Sequence, residues 1–69
     1  MSQFNIAPEL KAQILNERLQ ALNLEGYQNE LNLKSAEALG NDEVIAQAQA
    51  NIDVINSAIE VHTTELESL

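Results

Sequence analysis

The sequence predicts an all-α fold: a long antiparallel helical hairpin with a coiled-coil-like seam, packed in an oligomer or a larger assembly. Residues that favour helices, chiefly Ala, Leu, Glu and Gln, dominate the chain. Apolar residues in the second half recur at helical rather than alternating spacing. Gly40, followed by Asn41 and Asp42, interrupts the chain near its centre, and two arms of similar length joined by a short turn favour a hairpin.

Residues 1–7 are predicted to be a short N-terminal extension, and the first helical arm is predicted over residues 8–39. Pro8 suits the first turn of a helix, because the N–H group that it lacks would have no intrahelical partner there. Glu9 favours the positive end of the helix dipole. Asn5 is an alternative capping residue, with Pro8 still inside the first turn.

The first arm has a less regular apolar pattern than the second. Its first half presents a broad apolar face formed by Leu10, Ile14, Ala21, Leu15, Leu19 and Leu22. Further along, apolar residues lie on roughly the opposite side of an ideal helix: Leu24, Tyr27, Leu31 and Ala38. The arm therefore contains apolar residues on more than one face.

Gly26 leaves two interpretations of the first arm open. In the first, Gly26 ends one helix in a left-handed cap, so that the hairpin has three helices. In the second, the helix passes through Gly26 at a cost of about 1 kcal/mol and buries both of its faces in an oligomer. The continuous helix is favoured, because no Pro, Ser or Asp reinforces a break. Glu30 and Lys34 also form a favourable pair four residues apart just downstream.

The turn is predicted at residues 40–41 and the second arm at 42–69, where the chain carries its clearest pattern. Alternating steps of three and four residues define the second-arm seam: Ile45, Ala48, Ile52, Ile55, Ile59, His62, Leu66 and Leu69. This is a heptad repeat with apolar residues at seven of its eight positions. Val54, Ala58 and Val61 form a second short stripe beside it, so the helix is expected to bury more than one face, as in a bundle.

His62 is the only histidine, and it occupies a position in the second-arm seam. The simpler interpretation is a tolerated polar residue near a helix end. The alternative is a residue that fixes the alignment of the helices or responds to pH. His62 and Glu65 lie on one helical face, but two ligands from one chain do not make a metal site, so none is predicted.

Charge and composition exclude several classes of function. The net charge is −8, and Lys11, Arg18 and Lys34 are the only Lys and Arg residues, so binding to phosphate backbones or to anionic membranes is disfavoured. Residues 42–69 carry a net charge of −6. No nucleophile–base pair, phosphate-binding loop or zinc-ligand spacing occurs, so the chain is expected not to be an enzyme and to need no cofactor.

The predicted function is that of a structural or assembly protein, whose partner is a further copy of itself or a larger complex, such as a virion. The residues predicted to form its protein interface are the second-arm seam together with Leu15, Leu19 and Leu22. The alternative is an acidic regulatory protein that inhibits or redirects a basic protein or nucleic-acid-binding enzyme. No secretory signal or membrane span is evident, so an intracellular protein, or one within a virion, is expected.

Overall fold

In a computed structural model that describes residues 3–69, two antiparallel α-helices pack along their length. Helix α1 covers Pro8–Leu39 and helix α2 covers Asp42–Glu67, and the described residues contain no β-strand. The hairpin measures 48 × 17 × 16 Å. Of the predicted extension 1–7, residues 1 and 2 lie outside the described residues, and residues 3–7 precede α1 without helical structure.

Pro8 and Gly40 set the two ends of α1. At the start, Ala7 provides no side-chain cap, and Pro8 with Glu9 forms the first turn. At the end, Gly40 has a φ of 67° and donates its N–H to the Glu37 carbonyl oxygen at 3.2 Å. The N–H of Asn41 donates to the Ala36 carbonyl oxygen at 2.9 Å. These two bonds form a Schellman motif, which explains why a left-handed glycine ends the helix here.

Asn41 starts α2 directly after that motif. Its Oδ1 accepts a hydrogen bond from the Val44 N–H at 3.3 Å, and Asp42 and Glu43 lie in the first turn, at the positive end of the helix dipole. At the other end, α2 stops at Glu67, two residues before the predicted limit of the second arm. There, the Ser68 hydroxyl donates to the Glu65 carbonyl oxygen at 2.8 Å.

Gly26 does not interrupt α1, so the three-helix alternative is not what the structure contains. Residues 8–39 form one helix, and within residues 3–69 the only glycine with positive φ is Gly40. Gly26 faces α2, and a Cβ at this position would lie 3.6 Å from Cγ2 of Ile55. The absent side chain therefore sits where the two helices approach each other, and not at a helix end.

The core between the two helices is thin. Three residues, Ala36, Ala48 and Ile55, are buried, and none of the described large side chains is fully buried. The accessible surface is 5385 Å², whereas a compact protein of 7.6 kDa exposes about 4,300 Å². The radius of gyration is 15.5 Å, against about 11 Å for a compact domain of this length. The hairpin thus exposes about 1,100 Å² more than a compact monomer would.

Candidate interaction surfaces

The second-arm seam lies along the side of α2 that faces α1. Seven of its eight residues are buried or half-buried between the helices, with Ala48 and Ile55 the most enclosed. Leu69 follows the end of α2 and is 48% exposed. These residues pack within the hairpin, and their part in an interface with another chain stays a prediction.

The face of α1 that meets this seam repeats the same spacing, although its residue types hide it in the sequence. The α1 inner face consists of residues three and four apart, all buried or half-buried: Ala12, Leu15, Leu19, Leu22, Gly26, Asn29, Leu33 and Ala36. Leu15, Leu19 and Leu22 were expected in an interface. The remaining positions are hard to recognise from the sequence because a glycine, an asparagine and two alanines weaken the apolar pattern. The regular spacing itself was the signal that could have identified them.

Asn29 is the polar position of the α1 inner face, and it bonds across to α2. Its Oδ1 accepts a hydrogen bond from Nδ2 of Asn51 at 3.1 Å, while its own Nδ2 donates to the Glu25 carbonyl oxygen at 2.9 Å. No buried side-chain nitrogen or oxygen among residues 3–69 lacks a hydrogen-bond partner. The Asn29–Asn51 bond therefore joins the two helices by a polar contact beside the seam, where polar residues can favour one alignment of paired helices.

His62 is half-buried near the open end of the hairpin. Its Nδ1 lies 2.6 Å from the carbonyl oxygen of Ala58, one turn earlier in α2. A carbonyl oxygen can only accept a hydrogen bond, so Nδ1 carries the hydrogen. The ring therefore has a partner within its own helix, in keeping with a polar residue tolerated at a seam position.

A second surface, with apolar residues at six of its nine positions, runs along α1 on the side turned away from α2. Its residues alternate in steps of four and three and form what we call the outer stripe: Leu10, Ile14, Glu17, Ala21, Leu24, Gln28, Leu31, Ser35 and Ala38. All nine are exposed, including Leu24 at 61% and Leu31 at 45%. In the heptad repeat this stripe lies almost opposite the α1 inner face. Helix α1 is therefore apolar on two opposite sides, of which the hairpin covers one.

The outward side of α2 combines acidic residues with valines. Asp53, Glu60 and Glu67 follow one another at intervals of seven residues, and all three are exposed. Val54 and Val61 lie beside them and are 69% and 60% exposed. This surface has both apolar area and negative charge, and no Lys or Arg occurs in α2 to neutralise it.

The open end of the hairpin brings residues from both termini together. Phe4 and Ile6 from the segment before α1 line an apolar depression of about 220 Å³ together with Lys11, Ile14, Leu15, Glu65 and Leu69. The segment before α1 therefore lies beside the last turn of α2.

Two further properties of residues 3–69 bear on the kinds of site that the hairpin can hold. No group of three or more His, Cys, Asp or Glu side chains there is arranged to hold a metal ion. Neither helix has a stretch that is long and apolar enough to cross a membrane. The prominent features of the described surface are the outer stripe and the acidic side of α2.

The chain matches no family model, no curated protein and no solved structure. The two packed helices by themselves place the protein in the class of helical hairpins.

Proposed function

We propose that this chain is a non-catalytic structural component of a larger assembly, which it joins through apolar helix–helix packing. The observation that carries the proposal is the exposed outer stripe of α1. Monomeric proteins expose scattered apolar residues, whereas exposed apolar residues that recur at regular helical spacing along one side of a helix are typical of an interface. The assemblies that the proposal covers are homo-oligomers and multi-subunit complexes such as virions.

The energetics of a small hairpin support this proposal. Chains below about 70–80 residues seldom obtain more than about 3–5 kcal/mol from one core, and this hairpin has three buried residues between its helices. The excess surface of about 1,100 Å² is comparable to what one partner contributes to a standard interface, about 800 Å². Covering the outer stripe would therefore give the chain the apolar burial that its own core lacks.

Sedimentation velocity of the purified chain at low and high salt tests the proposal. The expected result is a species heavier than the 7.6 kDa monomer, with little change between the two salt concentrations, because apolar packing is not screened by ions. A folded monomer at millimolar concentration under both conditions would exclude the homo-oligomer and would restrict the proposal to a complex with other proteins.

A second candidate function follows from the acidic side of α2. An exposed row formed by Asp53, Glu60 and Glu67, with no Lys or Arg in the helix, favours docking on a basic protein surface as a regulatory binder. In that case the free chain stays a monomer. Its binding to a basic partner weakens steeply between low and physiological salt, which separates this candidate from the first.

A further inference from the structure

We infer that the outer stripe of α1 binds a second copy of this chain, with the two α1 helices antiparallel across a two-fold axis. This inference rests on the proposed assembly function and names its partner. It would give a four-helix dimer in which each α1 lies between its own α2 and the α1 of the other copy.

The spacing of the outer stripe determines the kind of partner that fits it. Steps of four and three residues are the heptad repeat that lets a helix hold a second helix alongside it over many turns. The stripe extends over 29 positions from Leu10 to Ala38, about 42 Å at the rise of an α-helix. The partner that matches the stripe is therefore another long helix with the same repeat. Helix α1 of a second copy, with its own outer stripe, is such a helix.

The antiparallel arrangement is favoured by the residues that it places opposite each other. With the two helices centred between Leu22 and Asn23, the large Leu24 of one copy faces the small Ala21 of the other. Ile14 then faces Leu31. Glu17, the one charged residue of the stripe, faces the uncharged Gln28. A parallel arrangement in register would instead place Glu17 beside Glu17 within the interface, and like charges there repel each other.

The residues that flank the stripe also complement each other in this arrangement. Arg18 and Glu25 both border the stripe on the same side, seven residues apart. In the antiparallel dimer, Arg18 of each copy faces Glu25 of the other, so the two-fold axis creates two attractive pairs. In the parallel alignment, Arg18 faces Gln13 and Glu25 faces Gln20, and neither charge finds an opposite one.

The distribution of net charge favours contact through α1. Residues 1–41 carry a net charge of −2, while residues 42–69 carry −6. Contact through α1 keeps the two acidic α2 helices on opposite outer sides of the dimer, where their mutual repulsion is smallest. A dimer formed through α2 would bring those charges together.

A charge exchange at Arg18 and Glu25 tests the inference on the full chain by sedimentation equilibrium. Both side chains are exposed, so their substitution leaves the hairpin core unchanged. Arg18→Glu or Glu25→Arg alone converts the two attractive pairs into repulsive ones, and each is expected to weaken dimerisation about tenfold. The double variant restores both pairs, and its affinity is expected to return to within about threefold of the original.

Two exposed apolar residues give a matched pair of controls. Leu24→Asp places a charge at the centre of the outer stripe and is expected to yield a monomer that keeps its helical circular dichroism. Val54→Asp makes the same change on α2, at a side chain that is equally open (69% exposed, against 61% for Leu24), and is expected to leave the dimer intact. If Val54→Asp instead abolishes association, the contact lies on α2, and the inference is overturned.

The orientation of the dimer is measured with one spin label on each copy at Glu37→Cys, since the chain has no other cysteine. The antiparallel arrangement places the two labels about 45 Å apart, whereas a parallel one places them within about 25 Å. A distance between the labels within about 25 Å overturns this inference. So does an association constant that the substitutions at Leu24 and Arg18 leave unchanged, and in both cases the proposed function still holds. A folded monomer at all concentrations overturns this inference and also excludes the homo-oligomeric form of the proposed function.

Discussion

Replacing Gly26 by alanine is expected to stabilise the hairpin. Glycine within a helix is about 1 kcal/mol less favourable than alanine, and Gly26 lies well inside α1 without a positive φ. The added methyl group would lie 3.6 Å from Cγ2 of Ile55, an ordinary van der Waals contact that requires no movement of the side chain. The free energy of unfolding should therefore rise by about 1 kcal/mol, which corresponds to about 4–8 °C in Tm for a domain of this size.

Thermal unfolding followed by circular dichroism measures this change, at one fixed protein concentration because association makes Tm depend on concentration. Gly40→Ala is the matched control, since Gly40 has a φ of 67° and a Cβ there would meet nothing within 4 Å. The effect of Gly40→Ala therefore comes from the backbone alone. Because a left-handed conformation costs an alanine about 1–2 kcal/mol, the free energy of unfolding should fall by about that amount. The two variants should shift Tm in opposite directions. A Tm for Gly26→Ala that falls as far as that of Gly40→Ala would show that Gly26 ends a helix.

Three further predictions concern the core, the turn and the bond between the helices, each checked by urea denaturation. Ile55→Ala removes the largest buried side chain and should cost at least about 2 kcal/mol, whereas Val54→Ala on the exposed side should change stability by less than about 0.5 kcal/mol. Equal losses would contradict the packing. Asn41→Ala removes the cap of α2 and should cost about 1 kcal/mol, with Asn41→Asp close to neutral; equal effects of both would rule out capping. Asn51→Ala should cost about 0.5–1.5 kcal/mol, and no loss would show that its bond to Asn29 contributes nothing.

The helix ends could be predicted because the chemistry that sets them is local. Pro8 fixes the start of α1, and Gly40 supplies the left-handed residue after its last turn. Asn41 caps α2 through its own side chain. Each of these effects acts within a few residues along the chain, so the sequence reveals it without knowledge of the tertiary structure.

The second-arm seam could also be predicted, because isoleucines mark it at regular intervals. The α1 inner face could not be recognised in the same way, since Gly26 and Asn29 occupy two of its positions. The place of both residues on this face is visible only in their contacts with α2. Gly26 lies beside Ile55, and Asn29 accepts a hydrogen bond from Asn51.

The sequence by itself determined that this chain forms two helices of known length with an apolar seam on the second and most of the negative charge beside it. It did not determine which side of α1 faces α2, because α1 carries apolar residues at heptad spacing on two opposite sides. Tertiary packing decided between them. The side with Gly26 and Ala36 fits closely against α2, and the side with Leu24 and Leu31 is left exposed. The reason is steric, since small residues let two helices approach, and a helix can present only one side to its neighbour in a hairpin.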